Sequence, residues 1–408
     1  MAVPLREYEA VVGREVLDEL QVLADHVRGR LLQHINSTAV GGGVAEILTR
    51  MVPLLQELGV DTRWDVITGD EEFFAVTKAF HNALHGTRES ITAAMFDHYL
   101  ATIDDNLRRL ALTGDIIWVH DPQPAGLVQR RAEVGGKWVW RCHIDVSAPV
   151  SGVWEFLSPF VEQFDATVFS MPAFARQLDV PQYMVAPSID PLSDKNRELA
   201  PAEVERVVAG YGIDARRPIM TQISRFDRLK DPLGVIAAYR IVRRRHDCQL
   251  VLAGGGATDD PEGQAVLAEV QAAAAGDPDI HVLLLPAFSD LQINALVRAS
   301  TVVLQKSIKE GFGLTVTEAM WKKKPVIGGA VGGIKQQVID GVTGFLVHSP
   351  EGAAHRAVQL LVDSDLRGRV GENGYLHAKQ NFLITRHVKD YLLLMAALDH
   401  LDEHLVYL

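Results

Sequence analysis

Between residues 308 and 333 the sequence reads "IKEGFGLTVTEAMWKKKPVIGGAVGG", with Glu310 and Glu318 eight positions apart. An ionised carboxylate only accepts hydrogen bonds, so it suits hydroxyl pairs. The apolar run "STVVLQK" ahead of them reads as a strand, "SIKEGFG" as its carboxyl-end loop and "LTVTEAMWKKK" as a helix opening at Leu314. That places Glu310 in the loop and Glu318 about two turns into the helix, with the N–H groups of the helix start between them, where an anion is favoured. Upstream, "SRFDRLKDP" sets Arg225 and Lys230 five positions apart, just after another strand-like run. A guanidinium fork and a flexible ammonium at that spacing can grip one diphosphate from two sides. Two solvated loop charges are the competing reading. A ligand with polyols on either side of a diphosphate would satisfy all four residues, and a sugar nucleotide has that shape.

A third loop, "STAVGGGVAEILTRM", carries Gly41, Gly42 and Gly43 ahead of a helix. It lets a ligand approach the backbone closely, or it is simply a tight strand-to-helix turn. The spacings of the dinucleotide fingerprint and of the P-loop are both absent.

These residues need rigid elements behind them. Strand-like runs alternate with amphipathic segments along nearly the whole chain, the pattern of parallel α/β domains. In the first half they are "LLQHINS", "TRWDVIT", "DIIWVHD", "KWVWRCHID" and "ATVFS"; in the second, "RPIMTQIS", "CQLVLAG", "IHVLLLP", "STVVLQK" and "KPVIGG". The prolines and polar residues of "APSIDPLSDKN" mark the joint. The expected architecture is α/β: two doubly wound Rossmann-like domains, residues 1–190 and 191–382, facing one another across a deep cleft. A last helix, about 383–408, is expected to return to the first domain.

The 408 residues suit two domains, and a net charge of −12 leaves no basic footprint for nucleic acid or an anionic membrane. Two cysteines, Cys142 and Cys248, make neither a disulfide framework nor a zinc site. The N-terminus lacks the apolar core of a signal peptide, and no uncharged run reaches the ~20 residues of a membrane span. A cytoplasmic protein is expected. The acidic pairs Asp104 with Asp105 and Asp259 with Asp260 lack a third ligand and read as solvated surface.

"GGGVAE", "SRFDRLK", "EGFGLTVTE" and "VGGIKQQVIDGVTGFLV", in that set and order along the chain, resemble the E-x₇-E retaining glycosyltransferases of the GT-B fold. The resemblance implies that Glu310 lies by the donor sugar, that Glu318 bonds the nucleotide ribose, and that Arg225 and Lys230 hold the diphosphate. It adds Gly41 to Gly43, Gly311, Phe312, Gly313, Leu314 and Thr315 to the donor site, with Phe288 of "LPAFSD" where the backbone receives the base. At closer range "WVHDPQP" and "WRCHID" are similar to segments of trehalose-forming transferases. That implies an acceptor site at Asp121 and Gln123 and an active-site histidine at His143; core histidines and a strand end are the plainer alternative.

The implied reaction joins glucose from UDP-, ADP- or GDP-glucose to free glucose, giving α,α-trehalose with retention. His143, Glu310, Arg225 and Lys230 would carry the chemistry, with no cofactor and no metal. A trehalose phosphorylase, a trehalose-phosphate synthase and a sugar-nucleotide sensor are the rivals. The expected partners are the two sugar substrates and a second copy of the chain in a homodimer.

Overall fold

The computed structural model describes residues 3–39, 42–255 and 261–400. Among them the strands form two six-stranded parallel sheets. The first has the order β2-β1-β3-β4-β5-β6, with β1 Leu31–Asn36, β2 Asp61–Val66, β3 Ile116–His120, β4 Lys137–Arg141, β5 Ala166–Phe169 and β6 Gln182–Met184. The second runs β12-β11-β10-β7-β8-β9, with β7 Ile219–Ile223, β8 Gln249–Gly255, β9 Ile280–Leu285, β10 Val302–Gln305, β11 Val326–Gly329 and β12 Phe345–Val347. The chain is α/β, with two doubly wound units.

Every residue of β3 and of β7 is buried, as a parallel sheet covered on both faces requires. In the second sheet the period of two is directly visible. Met220, Leu250 and Val302 belong to one core; Ile219, Val251 and Val303 belong to the core on the other face. In the first unit one large core gathers Phe73, Phe80, Tyr99, Trp138, Trp140 and Phe169. Two strands escape the sequence pattern. Gln182–Met184 and Phe345–Val347 have three residues each, too few to show a period, and both are edge strands whose place is fixed by pairing with β5 and β11.

One compact unit comprises the chain up to Ser188 together with the described residues from Ile384; the other is Ile189–Leu383. The change of unit is anchored by Ile189, which donates to the carbonyl of Phe382 at 2.9 Å and bridges Leu383. The helix Ile384–Ala397 packs on the helices Arg14–His26 and Gly42–Glu57 of the first unit. Its Tyr391 ring stacks on Trp118 of β3 at 4.0 Å. No helix among the described residues is long and apolar enough to cross a membrane.

Strand order also determines where ligands can be received. In a doubly wound sheet the crevice opens at the carboxyl ends of the two strands between which the chain reverses direction. For the second unit these are β7 and β10; for the first they are β1 and β3.

Candidate active site

The loops after β7 and β10 hold Arg225, Lys230 and Glu310, so residues 80 positions apart meet at one crevice. Lys230 Nζ donates to both oxygens of Glu310, at 2.8 and 2.7 Å. Glu310 also accepts from Gln305 Nε2 at 3.2 Å and Ser307 Oγ at 3.0 Å, and is only 8% exposed. The carboxylate expected at the sugar and the ammonium expected at the diphosphate are therefore neutralised by each other. Arg225 is more loosely held: its side chain is mostly exposed, with Asp227 at 3.5 Å.

The loop carrying Glu310 is held from three sides. Ile308 N donates to Leu229 O at 2.7 Å, tying it to the turn that carries Lys230. Lys306 Nζ donates to the carboxylate of Asp231, which sits at φ 51° and caps the helix Pro232–Arg243. Gly333 N donates to Gly311 O at 3.1 Å, and a Cβ on Gly332 would fall 1.6 Å from Glu310 O. The close approach leaves no room for any other residue at 332. Gln337, fully buried, donates to the carbonyl of Phe312 at 2.6 Å and accepts from Thr317 Oγ1 at 2.5 Å. The segment "VGGIKQQ" thus clamps the Glu310 loop. Sequence reasoning gave Gln337 no role, and only its motif context could have pointed to it.

The helix spans Leu314–Trp321 with Gly313 as its N-cap at φ 84°, and no side chain caps it. Glu318 lies one turn beyond Leu314, not two, because four residues advance a helix by about one turn. It is 3% exposed, with Lys195 Nζ 3.5 Å from its Oε1. Lys322, one turn further, donates to Asn196 Oδ1 at 2.7 Å and to Glu318 O at 3.1 Å, and burial pulls its amine down to about 7. Thr315 Oγ1 donates to Ile223 O at 3.2 Å, pinning the helix start to β7. Phe312 is 6% exposed and packs edge-on against Phe382, so its side chain belongs to the core. Phe288 is the opposite case: 84% exposed and at φ 63°.

In the first unit Asp121 and His143 follow β3 and β4 and come together. Asp121 sits at φ 65°, a left-handed backbone unusual for a side chain other than glycine or asparagine. Its Oδ1 accepts from His143 N at 2.7 Å, and its carbonyl accepts from Trp140 Nε1 at 3.0 Å. Enclosure pushes the carboxyl up to about 7, against the opposing pull of the His143 N–H and of Arg141. Gln123 has a buried Oε1 without a partner among the described residues. Gly42, at φ 79°, opens the helix after β1, and a Cβ there would meet nothing within 4 Å. Its conformation, not packing, calls for glycine. Gly43 follows in the first turn; Gly41 lies outside the described residues, as do Asp259 and Asp260.

Behind His143 lies a layer to which the sequence assigns no function, its His120 reading only as a core histidine. His34, Trp118, His120 and Arg141 lie on one face of the sheet: His34 is in register with Trp118, two residues before His120, and His120 is in register with Arg141. All four are buried. Burial depresses the imidazoles of His34, His120 and His143, that of His34 to about 3. No group of three or more potential ligands that could hold a metal ion occurs among the described residues.

The chain closely matches known proteins in both halves. Residues 34–176 match the family described as trehalose synthase, N-terminal domain, and residues 204–377 match glycosyl transferases group 1. A trehalose-phosphate synthase (UDP-forming) from Burkholderia xenovorans, solved with glucose-6-phosphate, superposes with a TM-score of 0.70 at 15% identity, covering 91% of this chain and 100% of its own. Anabaena HepE, solved with UDP-glucose, gives 0.67 at 15% identity, over 90% and 100%. Fold and family matches together define a glycosyltransferase of the GT-B class. Within that class the trehalose synthase of Thermococcus litoralis is 45% identical over 395 residues, 95% of each chain. The chain belongs to this trehalose synthase family, and its activity is that of a trehalose-related glycosyltransferase.

Proposed function

We propose that the protein transfers glucose from a nucleoside diphosphate glucose to free glucose, forming α,α-trehalose with retention at the donor carbon and without a metal ion. The observation that carries this reading is the Lys230–Glu310 pair at the β7/β10 crevice. A diphosphate entering there would compete for Lys230 with Glu310, and Arg225 stands exposed two residues past β7 to take its second face. Release of Glu310 from Lys230 would present its carboxylate to the donor sugar's hydroxyls. Glu318, with Lys195 beside it, would hold the ribose. In the first unit Asp121 and Gln123 would receive the glucose acceptor, with His143 at the donor sugar.

None of these carboxylates has nucleophile as its proposed role, since Glu310 serves the sugar hydroxyls, Glu318 the ribose and Asp121 the acceptor; departure and attack on one face is the step that suits them. The bond from the anomeric carbon to the diphosphate oxygen breaks with its electron pair on the diphosphate, which Lys230 and Arg225 stabilise as charge develops. The acceptor hydroxyl oxygen bonds the same face, and its proton passes to the departing diphosphate oxygen.

A trehalose-phosphate synthase would need a cation for the acceptor's phosphate. Arg141, the basic residue of β4 beside Asp121, its carbonyl accepting from Asp121 N at 2.8 Å, is fully buried, with Nη2 donating to Val185 O at 2.6 Å. This favours free glucose. The test is product analysis by chromatography and by NMR of the anomeric protons, using UDP-, ADP- and GDP-glucose with glucose, glucose-6-phosphate or, for the reverse direction, trehalose and inorganic phosphate. Each is run with and without chelator. Trehalose formed from glucose, undiminished by chelator, is the expected result. Transfer only to glucose-6-phosphate, phosphorolysis, or activity abolished by chelator and restored by magnesium would overturn it.

A further inference from the structure

Behind the candidate acceptor site three imidazoles touch in sequence. His143 Nε2 lies 3.1 Å from His120 Nδ1, and His120 Nε2 lies 3.0 Å from His34 Nδ1. His120 therefore spends both ring nitrogens on other histidines. The inner end, His34 Nε2, is buried with no partner among the described residues. At the outer end, no hydrogen bond to His143 Nδ1 is made among the described residues.

Three neutral imidazoles joined this way have two proton arrangements. Each contact needs one N–H and one lone pair, so the choice at one ring dictates the others. Either all three carry the proton on Nδ1, making His143 Nδ1 a donor and leaving a bare lone pair on His34 Nε2, or all three carry it on Nε2, making His143 Nδ1 an acceptor and leaving an unpaired N–H at His34.

The surroundings discriminate. Trp118 Nε1 and the Nε and Nη1 of Arg141 are buried donors without a hydrogen bond among the described residues, and the buried Tyr391 hydroxyl and His387 Nε2 are likewise unpartnered there. The groups packed over this face from the helix Ile384–Ala397 are Tyr391, whose ring lies 6.1 Å from His34, and His387, which pairs through Nδ1 with Ser188 Oγ at 2.8 Å. Arg386, on the same helix, is a second cation, paired with Asp390. The Tyr391 hydroxyl can accept one of these N–H groups but brings an O–H of its own, and one imidazole nitrogen on His387 can take at most one more; three N–H donors and that O–H still outnumber them, so a lone pair at His34 Nε2 relieves the imbalance and another N–H worsens it.

We infer that His34, His120 and His143 form a proton-ordered relay in which all three imidazoles carry their hydrogen on Nδ1, so that His143 meets its ligand as a neutral N–H donor. His34 and His120 are positioning residues that fix this state from inside the fold. Burial holds all three rings uncharged near neutral pH, which keeps the ordering intact. The donor is then suited to a hydroxyl oxygen of the donor sugar, which it would hold in place as the anomeric bond breaks. The inference rests on His143 facing substrate.

The test is nitrogen-15 NMR of the full-length protein labelled in histidine, whose long-range couplings report which ring nitrogen bears hydrogen, with assignments from single-histidine variants. The expected pattern is Nδ1–H at positions 34, 120 and 143. His34→Leu should scramble the tautomers of the other two and lower kcat about tenfold, the contribution of one hydrogen bond, with the Kd for UDP unchanged and the Tm kept or raised. His34→Gln, whose amide can still donate to His120 Nε2, should recover kcat to within about twofold. Nε2–H tautomers at all three positions, or a His34→Leu variant with full turnover, would sink the relay even if His143 proved essential. Full activity in His143→Ala would instead sink the substrate-facing role of His143, whatever the tautomers show.

Discussion

Replacing Glu310 by glutamine separates binding from chemistry in the proposed reaction. The carboxylate accepts from Lys230 through both oxygens and from Gln305 and Ser307 through Oε2. A glutamine that keeps its oxygen at the Oε2 position retains Gln305 and Ser307 but sets its NH₂ against the Lys230 ammonium, donor against donor. A hydrogen bond to a charged group contributes about 1.5–3 kcal/mol. With Lys230 19% exposed and free to turn toward water, a loss near the middle, about 2 kcal/mol, is expected. At about 2–4 °C per kcal/mol for a unit of this size, the Tm of the second unit should fall by roughly 4–8 °C. A charged contact of similar strength from Glu310 to the donor sugar, tightened during transfer, would account for roughly 10- to 100-fold in kcat. Nucleoside diphosphate affinity should not fall, because Lys230 loses its competitor. Calorimetry with UDP beside steady-state trehalose formation reads both quantities. Full turnover in Glu310→Gln, or a loss of UDP affinity as large as its loss of kcat, would refute the division of labour.

Glu318→Gln should do the reverse, weakening UDP and UDP-glucose binding about tenfold alike; calorimetry with both ligands checks it, and a loss confined to UDP-glucose counts against a ribose contact. For Asp121 the sign follows from its raised pKa: folded, the carboxyl titrates near 7 against an ordinary 3.8. The neutral form therefore supports stability fully below about 4, and that contribution is lost as pH rises towards 7. Acceptor binding by the ionised form should increase over the upper part of the same range. kcat/KM for glucose is expected to climb through pH 7 in the native protein and to lose that step in Asp121→Asn; identical profiles would remove Asp121 from the acceptor site. Gly332→Ala, whose Cβ would meet Glu310 O at 1.6 Å, should displace the Glu310 loop and cut turnover at least tenfold, while Gly368→Ala, with nothing within 4 Å, should leave it unchanged. Parallel assays decide it.

Much of this was legible in residue order. Apolar runs separated by amphipathic stretches dictate parallel α/β units, because only strands buried on both faces can be so uniformly apolar. Residues at strand ends, Arg225, Lys230, Glu310, Asp121 and His143, could be singled out because carboxyl-end loops are where such sheets receive ligands. The two three-residue edge strands were not legible, since pairing and not pattern creates them.

Tertiary structure alone decided which of these residues meet. That Lys230 lies on Glu310 follows from β10 returning to the side of β7, a crossover that no local pattern encodes. Gln337, silent in sequence, acquires its role because its helix passes beneath the Glu310 loop. His34, Trp118 and Arg141 read as ordinary strand residues until the register of three strands sets them on one face beside His120 and the helix Ile384–Ala397 seals them from water. A sequence determines what each side chain can donate, accept or bury; strand order and register determine which partner it finds, because they bring together residues separated by dozens of positions in the chain.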